Sequence, residues 1–348
     1  MVEMDNLFSG LGVKKKVAIF THSTPDPDSI GSAVGMQWLL AKKYSLVADI
    51  FHMGEISHSE NRTMCNVLSV VMYPAADFEK NKDDYERVIV VDATLANVGV
   101  PGLAADMIVD HHDIKSTKEE AIVLSDIRPL NGSSCSIVYE YIEKSGCEFT
   151  MAEEDKIVAT AMLYGIRKDT DVLVSEKVSE LDFHAYQALT KFIDKQKISL
   201  IQAYPHPSYF WELECQVIRS ENITQVNTAY IVYAGIVAPL RRDFLPYFAD
   251  KLYRLEGVST SIVFAIVGEA VEVSVRTSDV SLNLGSFLEK MFGKEFSGAK
   301  SKSGQGGAKI PLGLFSLTNV DDLEVRKNVS DAVEARFTHL VTKELSGD

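Results

Sequence analysis

Three short apolar runs early in the chain each stop at a histidine or an aspartate, and this repeated ending restricts the fold more than any other feature. Residues 17–21 (VAIFT), behind Lys14, Lys15 and Lys16, stop at His22; residues 88–91 (VIVV) stop at Asp92; residues 107–109 stop at Asp110. Short continuous apolar runs separated by helical patterning mark strands buried on both faces of a parallel sheet. A helix-like stretch over 30–42 follows the first run, with Val34, Trp38 and Leu39 at helical spacing. Functional groups in such sheets gather at the carboxyl ends of the strands, where these three polar residues fall.

Further helical patterns are expected over 135–144, capped by Ser133 or Ser134, and over 155–164, ending at Gly165. A long amphipathic stretch over 179–195 carries Leu181, Phe183, Leu189 and Phe192 and leads into Tyr204-Pro205-His206-Pro207, read as a linker. Beyond it the texture changes: strands are expected over 229–237, 261–267 and 271–276, and helices over 243–255 and 284–292. A stretch rich in Gly, Ser and Lys follows over 297–307. The 348 residues suit about two domains at roughly 150 residues each. The expected architecture is α/β: a catalytic domain at 1–195 with a mainly parallel sheet and covering helices, a linker at 196–210, and a smaller α+β domain at 211–348 across a cleft.

Composition removes several classes of function. With 35 basic and 49 acidic side chains the formal charge is −14, so stable duplex binding, which relies on neutralising many phosphates, is not expected. An anionic substrate requires a locally positive site, which bound cations supply. Cys65, Cys135, Cys147 and Cys215 form no CxxC pair, as in a chain with reduced thiols. The first twenty residues carry no signal-peptide pattern, and no run approaches the ~18 apolar residues of a membrane helix. A cytoplasmic protein without membrane association is expected.

Two loops concentrate the chemistry. His22-Ser23-Thr24-Pro25-Asp26-Pro27-Asp28 sets one imidazole and two carboxylates in a single turn. It is either a surface turn, which Pro and Asp favour, or a site for a divalent ion such as Mn²⁺, which accepts both oxygen and imidazole ligands. Asp110-His111-His112-Asp113 is either a solvated loop or a site. Adjacent histidines cannot point the same way, so one is expected to bind metal and the other to face substrate. Asp92, and Asp169 within Gly165-Ile166-Arg167-Lys168-Asp169-Thr170, read alone as caps or turns.

Together, in this order, the HxxxDxD loop, the strand-end Asp92, the Asp110-His111-His112 tripeptide and the GIxxDT segment resemble the DHH family of phosphoesterases, over roughly residues 15–190. That family includes RecJ-type exonucleases, NrnA-like oligoribonucleases with phosphoadenosine-phosphate phosphatase activity, cyclic-dinucleotide phosphodiesterases, exopolyphosphatases and family II pyrophosphatases. The resemblance implies two divalent ions, Mn²⁺ before Mg²⁺. His22, Asp26 and Asp92 would hold one ion; Asp28, Asp92, His111 and Asp169 would hold the other, with Asp92 bridging. His112 would meet the substrate phosphate and Asp110 would orient the histidines. Two ions about 3.5–4 Å apart can activate one water and stabilise both the attacking and the leaving oxygen.

The second half resembles, more distantly, the DHH-associated C-terminal domain, which offers a strand Arg and a Gly-rich loop to the substrate. Arg276 on the strand pattern and Gly306, Gly307 and Lys309 in the loop are the corresponding residues, with Ala308 standing where the family usually has His. Lys300, Lys302 and Lys309 read equally as charges on a solvated loop. His52, His58, His184 and His206 are read as structural or unassigned, and Arg241 and Arg242 as surface charge.

The implied function is metal-dependent phosphoester hydrolysis on a small nucleotide or short single-stranded oligonucleotide. Polyphosphate or pyrophosphate hydrolysis is the alternative within enzymes, and a non-catalytic nucleotide-binding module the alternative outside them. Homodimers are common in the family.

Overall fold

The structure, a computed structural model, describes residues 1–11, 16–56, 58–112, 122–219, 222–300, 304–318 and 320–346, and the backbone alone of Lys300. Lys14, Lys15, Asp113 and Lys302 lie outside the described residues. The chain divides into two compact units, Met1–Pro205 and His206–Asp348.

The first unit runs α1 (Val2–Phe8), β1 (Lys16–Phe20), α2 (Pro27–Tyr44), β2 (Val47–His52), α3 (Ser59–Leu68), β3 (Tyr73–Pro74), α4 (Ala75–Lys80), β4 (Tyr85–Val91), α5 (Leu95–Val98), β5 (Met107–Asp110) and β6 (Leu124–Ile127). It ends in helices α6 (Ser134–Lys144), α7 (Glu153–Asp169), α8 (Glu180–Leu189) and α9 (Lys195–Gln202). The sheet order is β3-β2-β1-β4-β5-β6, every pair parallel. Alternation explains why the strands read as unbroken apolar runs. Val17, Ile19, Ile89, Val91, Met107 and Val109 enter one core, with α2, α6 and α7. Ala18, Phe20, Val90 and Ile108 enter the opposite one, with Phe51 and Phe78. Strand order reverses at β1, with β2 and β3 added on one side and β4, β5 and β6 on the other, the point where such sheets open a crevice at their carboxyl ends.

The longest helix contact in this unit is α2 on α7, and it depends on glycine. A Cβ on Gly31 would lie 2.7 Å from Ala161 O, and one on Gly165 2.6 Å from Cys135 Sγ and 2.9 Å from Pro27 O. Gly165 therefore does not end the helix, as its isolated reading suggested. It sits inside α7, which runs on to Asp169. The amphipathic stretch over 179–195 likewise breaks after Leu189, and its last residue begins α9, where Ile198 and Ile201 are buried.

The second unit carries α10 (Ser208–Val217), β7 (Ile223–Val226), β8 (Ala229–Val237), α11 (Phe244–Tyr253), β9 (Thr260–Val267), β10 (Ala270–Thr277), α12 (Leu284–Phe292), β11 (Ser297–Lys300), β12 (Gln305–Pro311) and α13 (Leu323–Ser346). Its sheet order is β11-β12-β10-β9-β8-β7, mixed, with only the β8/β9 pair parallel. One face packs on α12 and α13 and the other on α10 and α11. Among the described residues no helix is long and apolar enough to cross a membrane.

Candidate metal centre

The site is built at the carboxyl ends of β1, β4 and β5. Past β1 the chain turns through His22 to Asp26, whose Oδ1 accepts from Asp28 N at 3.1 Å and Ser29 N at 3.0 Å and so caps α2. Pro27 in the first helical position needs no amide partner there. Asn61 Nδ2 donates to Pro25 O at 2.9 Å and pins the loop from α3. The other oxygen of Asp26 is left 3.6 Å from His22 Nε2.

Asp92 follows β4 in a left-handed conformation, φ 55°, which Asp tolerates better than most residues. The turn swings its carboxylate into the site while its amide donates to Val109 O at 2.8 Å. Ser29 Oγ donates to one carboxylate oxygen at 2.6 Å and Ser134 Oγ to the other at 3.0 Å. Asp92 Oδ2 lies 3.8 Å from His22 Nε2, and Oδ1 lies 3.4 Å from His111 Nε2.

At the end of β5, Asp110 Oδ1 accepts from the amides of His111 at 2.8 Å and His112 at 3.2 Å, and the two imidazole rings pack with centroids 4.5 Å apart, tilted by 58°. His111 is buried, whereas the His112 side chain is 49% exposed. His111 Nδ1 donates to Asn131 O at 3.1 Å, which turns Nε2 inward. There Nε2 lies 3.1 Å from Asp169 Oδ2, at the end of α7, and 3.8 Å from Asp28 Oδ2. It is buried and makes no hydrogen bond of ordinary geometry.

Asp28 is fully buried and held by the start of α6. Ser133 Oγ donates to it at 2.5 Å, Ser134 N at 2.7 Å and Cys135 N at 3.1 Å. These serines and Ser29 are the functional residues that sequence reasoning missed. Ser133 and Ser134 were legible only as a helix cap, a role Ser133 also fills for Cys135 N.

The charges are crowded. Burial pushes the Asp28 carboxyl up to about 8, aided by Asp92 and Asp169, and burial raises Asp92 too. Burial disfavours a charged His111, but Asp169 and Asp92 outweigh it and raise the imidazole to about 12. His112 is raised by its bond to Asp110, at 2.8 Å. An orphaned imidazole nitrogen facing buried carboxylates that repel one another fits a divalent cation. Three sets of ligand atoms each lie within 4.8 Å of one another: His22, Asp26 and Asp92; Asp28, His111 and Asp169; Asp92, His111 and His112. The structure thus brings together every residue expected at the metal site, with Asp110 and His112 beside them.

The expected substrate residues lie in the second unit, and two readings change. The segment with Gly306 and Gly307 is strand, not loop: β12 pairs with β10, Gly307 opposite Ser274 and Gly306 opposite Val275. Gly306 is half-buried on the face toward α12, where a Cβ would lie 2.7 Å from Leu288 Cδ1, so it allows α12 to pack closely. Gly307 shares the opposite face with Lys309, Ser274 and Arg276 by strand alternation. The Arg276 fork is engaged by Asp250, Nε at 2.6 Å and one terminal nitrogen at 3.2 Å. Lys309 Nζ is 3.3 Å from Glu272 Oε1. Ala308 is buried in the α12 core.

Residues 16–166 match the family described as the DHH family, N-terminal domain. An uncharacterized protein of Methanocaldococcus jannaschii is 32% identical over 331 residues, 94% of this chain and 64% of its own length. This chain therefore spans just under two thirds of that relative. A probable manganese-dependent inorganic pyrophosphatase of Streptococcus pyogenes is 26% identical over 281 residues, 73% of this chain and 79% of that protein. The crystal structure of an exopolyphosphatase-related protein from Bacteroides fragilis shares the fold, with a TM-score of 0.65 at 14% identity, over 98% of this chain and 97% of that one. Residues 16–166 of the chain thus match the N-terminal domain of the DHH family.

Proposed function

We propose that the chain is a metal-dependent hydrolase of phosphoester or phosphoanhydride bonds, with two divalent ions, Mn²⁺ by preference, and a small nucleotide or short oligonucleotide as substrate. The observation that carries this reading is Asp92, whose two oxygens face separate histidines, His22 and His111, each within a carboxylate set. His22, Asp26 and Asp92 form one ligand set; Asp28, Asp92, His111 and Asp169 form the other. The printed name of the Streptococcus pyogenes relatives, which specifies manganese and pyrophosphate, supports Mn²⁺ and keeps phosphoanhydride substrates in view.

Bound divalent ions supply Lewis acidity and a water acidic enough to serve as nucleophile near neutral pH. The chain's own groups do the rest. Asp28 and Asp92 are held in fixed orientation by serine hydroxyls and backbone amides, so the ligand set is preorganised. Asp110 holds the His112 imidazole by Nδ1, leaving Nε2 to donate to a phosphoryl oxygen or to a departing oxygen. Asp110 itself stays ionised: burial alone would raise its carboxyl, but its bond to His112 lowers it below the ordinary value. Gly307, Lys309 and Arg276 are proposed as substrate contacts of the second unit, Arg276 by exchanging Asp250 for a phosphate.

The test is a hydrolysis panel with Mn²⁺ or chelator: short RNA, phosphoadenosine phosphate, linear and cyclic dinucleotides, polyphosphate and pyrophosphate, with Asp92→Asn as control. Metal-dependent, mutant-sensitive turnover of a nucleotide supports the proposal. Turnover of polyphosphate or pyrophosphate alone replaces the nucleotide branch with the anhydride one. Full turnover by Asp92→Asn removes the site.

A further inference from the structure

Between β6 and α6 one short segment serves several prospective ligands at once. Asn131 O accepts from His111, Ser133 and Ser134 N hold Asp28, and Ser134 Oγ holds Asp92. The segment's own anchorage comes from Gly132, whose amide donates to Asp182 Oδ2 at 2.8 Å, 50 residues downstream. A Cβ on Gly132 would lie 2.7 Å from Thr170 Cγ2 and 3.0 Å from Asp182 Oδ2, so the glycine is wedged between Asp182 and the neighbour of Asp169. Asp182 is fully buried. Its Oδ2 also accepts from Ser179 N at 2.8 Å and Ser179 Oγ at 2.7 Å, closing the capping box of α8, while Oδ1 is buried with no partner.

A capping box needs a side-chain acceptor at its third helical position, and Glu or Gln normally meets that need from the surface. Burying a carboxylate without a cation is unfavourable unless its hydrogen bonds compensate. Here the bond that goes beyond the cap is the one to Gly132. We propose that Asp182 is a positioning residue for the metal centre: by holding Gly132 N–H it fixes the 131–134 segment and, through it, the orientation of His111, Asp28 and Asp92. The inference rests on the metal site proposed above. Losing the anchor lets the segment shift relative to β5 and α2, and a shift of a few tenths of an ångström spoils several ligand orientations together.

The experiment is Mn²⁺ titration of the full chain by calorimetry and by the electron paramagnetic resonance signal of the bound ion, alongside thermal melts. Asp182→Ala is expected to weaken Mn²⁺ binding by about tenfold or more, the usual size for groups that support ligands, and to broaden the bound-ion signal. Asp182→Asn keeps an acceptor in place and is expected to restore affinity to within about threefold of wild type. Ser179→Ala breaks the cap but spares the Gly132 bond, and is expected to lower Tm while leaving Mn²⁺ affinity unchanged. If Asp182→Ala does not fold, Asp182→Glu displaces the acceptor by one methylene and is expected to weaken binding similarly. Wild-type affinity in Asp182→Ala or Asp182→Glu, or equal weakening by Ser179→Ala, overturns the positioning role alone. Absence of Mn²⁺ binding by wild type overturns the metal site and this inference with it.

Discussion

Gly165→Ala is the most informative substitution in the chain because two effects of opposite sign meet there. An alanine in place of a mid-helix glycine ordinarily stabilises a helix by about 0.5–1 kcal/mol. At Gly165 the new methyl would stand 2.6 Å from Cys135 Sγ, 2.9 Å from Pro27 O and 3.0 Å from Asp28 Cα. Two of these are backbone atoms at the start of α2, so relief requires α7 and α2 to part. Overpacking of this kind costs about 1–3 kcal/mol. The net expectation is a loss of about 1–2 kcal/mol, or a fall in Tm of about 2–8 °C in a unit of this size. Because the displaced atoms belong to Asp28 and its helix, Mn²⁺ affinity should fall with stability. Cys135→Ala should restore part of both in the double variant by removing the closest atom, a coupling that distant sites would not show. Urea titration and calorimetric metal titration read the two quantities. A neutral or stabilised Gly165→Ala would refute the close-packed account of α2 on α7.

Asp92→Asn keeps a residue that accepts the left-handed turn but removes the shared charge; it should fold and lose metal-dependent turnover by at least about 100-fold, and a loss under about tenfold in the panel assay contradicts the bridging role. Stability of the metal-free chain should fall as pH rises. Asp28 and Asp92 are raised, so the folded chain retains protons that the unfolded carboxylates release near pH ~4, and that contribution is lost as pH climbs toward about 8. His111, raised to about 12, acts in the same direction above the unfolded imidazole value of ~6.5. Melts in chelator should therefore show Tm declining from about pH 5 to about pH 8 and excess Mn²⁺ reversing the trend; a rising Tm in chelator would count against this reading. Arg276→Gln should cost no more than about 1 kcal/mol, since its partner Asp250 is 46% exposed and rehydrates. A loss above about 3 kcal/mol in chemical denaturation would mean that the ion pair is a structural element and not an exchangeable contact.

The strand ends were legible because their signals are local. Apolar runs ending at His22, Asp92 and Asp110 follow from strands buried on both faces, whereas the helix expected over 30–42 begins earlier, at Pro27, because Asp26 caps it. The limits of β8 and α12 were likewise readable from patterning, as residues 229–237 and 284–292. Gly165 misled because a glycine at a helix end and one under a crossing helix look alike in sequence. Only the position of Cys135 and Pro27 across the interface separates them.

The sequence by itself determined that His22, Asp92 and Asp110 lie at the ends of apolar strand runs, because strand period and turns act over a few residues; that they join Asp26, Asp28, His111 and Asp169 at a metal site was what the resemblance to the DHH family implied. The tertiary structure decided what holds them. Asp28 takes its donors from residues 105–107 positions away, Gly132 finds Asp182, Arg276 finds Asp250, and Gly306 faces the core while Gly307 does not. Such pairings are settled by helix packing and strand register, where burial leaves each polar group few partners in space and sequence distance carries no information.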